Sequence, residues 1–93
     1  METRSIAESV GRLAKEIKRF AARAVTGYGP VVNYLLLCRS KDARRITAAL
    51  DGLLDFCWDP DALLLFHKLC RYYHDIDPRA AEEYARRYRE MWN

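Results

Sequence analysis

At 93 residues, 51% of them apolar and 31% charged, with a net charge of +3, the chain has the composition of one small globular domain. That balance excludes intrinsic disorder, and no apolar run reaches the ~20 residues needed to cross a bilayer. The opening METRSIAESVGRLAKE carries acids and lacks the apolar stretch of a secretory signal, so the expectation is a soluble cytoplasmic protein without membrane association. Charge is unevenly divided. Residues 1–50 hold ten Lys/Arg against four Asp/Glu, and residues 51–93 hold six against nine, giving +6 and −3. Two surfaces of opposite sign can attract one another or face different partners.

The first helix is expected to start at a capping box, Ser5-Ile6-Ala7-Glu8. Ile6, Val10, Leu13, Ile17, Phe20 and Ala24 recur by threes and fours, which predicts a core-facing stripe. Arg12, Lys15, Arg19 and Arg23 form a basic stripe on the other side. Gly27-Tyr28-Gly29-Pro30 predicts a break near Thr26, because glycine tolerates positive φ and proline suits a first helical turn. A second helix, Pro30 to Arg39, is apolar nearly all round and is expected in the interior, with Asn33 and Tyr34 at its rim.

A third helix is expected after Ser40 as N-cap, with Asp42 in its first turn, running to about Cys57. Ala43, Ile46, Leu50, Leu53, Leu54 and Cys57 face inward, and Arg44, Asp51 and Asp55 outward. Gly52 inside it costs roughly 1 kcal/mol relative to Ala, which a close helix crossing would offset. Asp59-Pro60 and Asp77-Pro78 then repeat one device, an Asp N-cap before a proline at the first helical position. They start a fourth and a fifth helix. The two starts lie 18 residues apart, without the ~34-residue period of a tetratricopeptide array, and so share only capping chemistry.

The fourth helix, Pro60 to Ile76, has a broad apolar arc of Ala62, Leu63, Leu65, Phe66, Leu69, Cys70, Tyr72, Tyr73 and Ile76, the pattern of a central helix packed on two sides. On the fifth, Ala81, Tyr84, Ala85, Tyr88, Met91 and Trp92 share one face, and Glu82/Arg86 and Glu83/Arg87 are spaced for ion pairs. The predicted fold is an all-α, compact bundle of about five helices in a single domain, residues 1–93, with the second and fourth helices central.

Little in the chain points to chemistry. Cys38, Cys57 and Cys70 show no CxxC spacing and read as free core thiols. His67, Cys70 and His74 have helical ligand spacing, but the two histidines are seven residues and therefore about 10 Å apart along the axis, too far to share one ion. No metal or other cofactor is expected. Phosphate-binding glycine loops and HExxH are missing, and Asp55, Asp59 and Asp61 are accounted for largely by capping, so the chain is not expected to be an enzyme.

The leading expectation is a non-catalytic regulator, adaptor or inhibitor that binds another protein, or itself as a homodimer. Leu64 projects among His67, Lys68 and Arg71 on the polar side of the fourth helix, and Tyr88 and Trp92 add aromatics of the kind that dominate interfaces. Small helical chains of this sort are common among phage and mobile-element inhibitors of host machinery, anti-CRISPR proteins included. The rival expectation is a nucleic-acid-binding regulator using Arg12, Lys15, Arg19, Arg23, Lys41, Arg44 and Arg45. With no Gln and only Asn33 and Asn93 for base readout, such binding would be largely nonspecific.

Overall fold

A computed structural model describes the backbone of residues 2–92 and the side chains of residues 9–92. Four helices account for nearly all of it: α1 (Glu2–Leu37), α2 (Ala43–Leu54), α3 (Pro60–Ile76) and α4 (Pro78–Trp92). The all-α expectation holds, with four helices in place of five. The two N-terminal segments are one helix.

Gly27 and Gly29 keep negative φ, and Pro30 lies inside α1 without ending it. An internal proline costs about 3 kcal/mol in a helix. Val32 and Leu35, one turn further on, are fully buried, each contributing about 1.5–3 kcal/mol, so their burial outweighs the local penalty. The helix also begins at Glu2, which puts Ser5 inside it rather than at an N-cap; the side chains of that turn lie outside the described residues.

The stop of α1 comes at Arg39, which takes a left-handed φ of 50°. There the Arg39 N–H donates to Leu36 O and the Ser40 N–H to Leu35 O, the paired bonds that close a helix whose last residue turns left-handed. Ser40 does not cap α2. Its hydroxyl accepts from the Asp42 N–H, and Asp42 is the N-cap, accepting from the amides of Arg44 and Arg45. Ala43 is exposed, while Ile46, Ala49, Leu50, Leu53 and Leu54 are buried.

Both Asp-Pro starts behave as expected. Asp59 accepts from the amides of Asp61 and Ala62, and Asp77 from that of Ala80. α3 is the centre of the bundle, packed against α1, α2 and α4. Its buried residues, Ala62, Phe66, Leu69 and Tyr73, all lie on the expected arc. The Pro30–Leu37 segment of α1, by contrast, is not an interior helix. Val31, Tyr34 and Leu37 are exposed because that segment packs along one edge of the bundle.

The long dimension of the molecule, 57 Å against 26 and 17 Å, is set by α1, about 54 Å long at 1.5 Å per residue. Every described side chain from Ser9 to Phe20 is exposed, and burial begins at Ala21. The N-terminal half of α1 is an arm extending past the other three helices. Among the described residues, no helix is long and apolar enough to cross a membrane.

Candidate protein-docking surfaces

The strip expected on the fourth helix is present on α3. Three helices pack on α3, and Leu64, His67, Lys68 and Arg71 stay exposed between them, with Leu64 at 54%. Tyr88 of α4 joins its edge, the His67 and Tyr88 rings lying 5.9 Å apart edge to face. Trp92 is held elsewhere: its indole N–H donates to Leu54 O at 2.7 Å, pinning the end of α4 to the end of α2. The other tyrosines of this region serve the fold. Tyr72 donates to Ser40 O, Tyr84 donates to Asp51, and Tyr73 is buried.

Of the expected ion pairs on α4, Glu83 reaches Arg87 at 3.8 Å, but Arg86 pairs with Glu83 and Glu90 and leaves Glu82 to His74, 3.5 Å away. That last pair borders a small cavity of about 200 Å³ between α3 and α4, which His67, Cys70 and His74 also line. Cys70 donates to Ala81 O at 3.3 Å, and burial pushes its thiol pKa up. Cys57 is pushed up to about 12 by burial and by the nearby Asp55 carboxylate. Both stay protonated at neutral pH, in surroundings opposite to those that activate a nucleophilic thiol. Cys38 is not a core residue. It sits past the last buried turn of α1 and is exposed. Among the described residues, no group of three or more His, Cys, Asp or Glu converges closely enough to hold a metal ion.

The basic residues form two patches. Arg12, Lys15, Arg19 and Arg23, joined by Lys18, are exposed along the α1 arm. Lys41, Arg44 and Arg45 are exposed at the start of α2, beyond the end of α1, which lies about 20 Å along the axis from Arg23. Arg45 is engaged by Asp42 at 3.6 Å.

The largest unexpected surface is the apolar face of the arm. Val10, Leu13, Ile17 and Phe20 do not enter the core of their own chain and are 59%, 56%, 42% and 56% exposed. The same line continues across Ala24 and Gly27 to Val31 and Tyr34, both also exposed. Beside its far end a groove of about 680 Å³ runs between α1 and α2, lined by Tyr28, Pro30, Val31, Tyr34 and Ala48 among others. This seam was readable as a seven-residue repeat at positions 10, 13, 17, 20, 24, 27, 31 and 34. Ending the helix at Thr26 concealed it.

No protein-family model, curated protein or solved structure matches the chain, so a functional reading rests on its own surfaces.

Proposed function

We propose that the chain is a non-catalytic protein-binding regulator or inhibitor that docks through exposed helical surfaces. The observation that carries this reading is the apolar seam of α1, six large side chains from Val10 to Tyr34 left exposed on one line. Contiguous apolar surface of that kind marks an interaction site in a water-soluble protein. The exposed Leu64 within the His67, Lys68 and Arg71 strip of α3 is a second, smaller contact face. An inhibitor of host machinery from a phage or mobile element, such as an anti-CRISPR, is the subclass suggested by size and helical class alone.

The test uses Leu13→Asp with Ile17→Asp, and separately Leu64→Asp with Arg71→Glu. All four side chains are exposed, so each variant should fold as the parent does while losing association through its own face. Association unchanged in both variants would refute the reading.

One observation favours a second reading. Lys15, Lys18 and Arg19 lie on the side of the arm away from the seam, all exposed and in no ion pair among the described residues. A nonspecific nucleic-acid contact there would weaken by orders of magnitude between roughly 50 and 200 mM salt. No binding to DNA or RNA at the lower salt would dismiss it.

A further inference from the structure

From the repeat, charge and groove of α1 we infer that its seam is covered by the same seam of a second copy of this chain, running antiparallel. This rests on the reading of the seam as a protein contact and names its occupant. The seam has the two-position, seven-residue repeat of helices that pair side by side, with Val10, Ile17, Ala24 and Val31 at one position and Leu13, Phe20, Gly27 and Tyr34 at the other. A twofold axis makes such a contact self-complementary, since each copy offers the same strip.

Charge selects the register. Flanking the seam on one side are Ser9, Glu16, Arg23 and Pro30. With the axis between Lys18 and Arg19, Glu16 of each copy faces Arg23 of the other, two attractive pairs. Sliding by one repeat in either direction puts Arg23 against Arg23 or Glu16 against Glu16 at the axis. The favoured register also matches sizes: Val10 falls on Gly27 of the second copy and Leu13 on its Ala24, with Ile17 and Phe20 meeting at the centre. Both Glu16 and Arg23 are exposed and free to pair in this way.

The register gives the groove an occupant. The first turns of the second copy's α1 pass along Val31 and Tyr34 and into the 680 Å³ channel between α1 and α2. In this register the seam meets itself from Val10 to Gly27, about 26 Å long and about 12 Å wide, roughly 300 Å² per copy before the segment beyond Gly27 is counted. An interface on that scale is that of a small, reversible dimer. The basic residues Lys15, Lys18 and Arg19 remain on the outer side.

Analytical ultracentrifugation of the full chain should show twice the 10.9 kDa chain mass in the micromolar range. Ile17→Asp buries two carboxylates per dimer and should raise the dissociation constant at least about 100-fold with the helical content of the body unchanged. Glu16→Arg alone, or Arg23→Glu alone, should weaken the dimer about tenfold, and the two combined should restore it. With Cys38→Ser as background, a mixture of Val10→Cys and Gly27→Cys chains should cross-link while Val10→Cys alone should not. Gly27 has open space for the new side chain.

A dimer indifferent to Ile17→Asp, a charge swap that fails to restore association, or self-cross-linking of Val10→Cys would overturn the proposal. So would a monomer whose arm instead inserts into vesicles of anionic phospholipid. A monomer that loses a different protein partner on Ile17→Asp overturns the second copy but leaves the protein-binding reading standing. A monomer whose every association is indifferent to the seam and to the α3 strip overturns both.

Discussion

Gly52 is the position at which helix propensity and packing make opposite demands. A Cβ built there would overlap the Oη and Cζ atoms of Tyr28 and stand 3.0 Å from its Cε1. Replacing glycine by alanine within a helix is worth about 1 kcal/mol in propensity. Forcing an extra carbon into filled space costs about 1–3 kcal/mol, and here the half-buried ring of Tyr28 would have to leave its seat on α2. Gly52→Ala should therefore forfeit the whole propensity gain and destabilise by up to about 2 kcal/mol, a fall of up to roughly 10 °C in Tm for a chain of this size. Gly27 supplies the control, being helical with nothing near its Cβ position and no proline directly after it, so Gly27→Ala should stabilise by up to about 1 kcal/mol. Thermal and urea unfolding followed by far-UV circular dichroism would measure both. In the Tyr28→Ala background, Gly52→Ala should no longer be harmful. A Gly52→Ala variant as stable as Gly27→Ala, or one as harmful without the Tyr28 ring as with it, would refute the reasoning.

Other substitutions probe the remaining features. Arg39→Gly relieves the left-handed strain at the end of α1 and should raise stability by about 0.5–1 kcal/mol in urea titrations. Asp59→Ala strips the acceptor from two amides at the start of α3 and should cost about 1 kcal/mol, read as a lowered urea midpoint. Burial, the hydrogen bond to Asp51 and the charge of that carboxylate push Tyr84 up to about 12 against the opposing Arg87, and Cys57 is pushed equally high. Both folded values exceed the ordinary 10.0 and 9.0, so the folded state favours the neutral forms. Their contribution is complete below those ordinary values and is lost as pH rises through about 12. Urea midpoints should fall across that alkaline window, and Tyr84→Phe should flatten the fall; an unchanged profile would contradict the assignment.

Elements whose cause is local were legible in the sequence. Asp59-Pro60 and Asp77-Pro78 cap helices through contacts two or three residues away, and both do so here. The buried arc of α3 followed from periodicity; Gly52 was expected at a close helix crossing, and what fills the space beside it is the ring tip of Tyr28 from α1. The errors share one origin. Gly27 to Pro30 carries the local signs of a break, but Val25 before it, Tyr28 within it and Val32 and Leu35 after it all pack on the core, and a continuous helix keeps them on one face. A break there would turn Val10, Leu13, Ile17 and Phe20 toward a core they never enter, and would place Val31 and Cys38 in an interior they do not occupy. The α3 strip was legible because Leu64 broke the pattern of its own helix. The seam was not, because an apolar face looks the same whether its own chain or another one covers it.

Pro30 has no N–H to offer the carbonyl of Thr26, so one rung of α1's hydrogen-bond ladder is missing within its packed part, its Thr26 end less than about two turns from where the arm begins. The Thr26 hydroxyl does not close that gap, since it donates backward to Ala22 O at 2.8 Å. Beyond it, residues 10–20 gain nothing from the core, and a helix of about 20 residues standing alone in water is marginal. Amides of the arm should exchange with solvent far faster than those of α3 when the chain is dilute, and slow once the seam is occupied. Order in the arm then follows occupancy, and the same 36-residue helix holds a permanently folded end and an end whose folding is conditional on company.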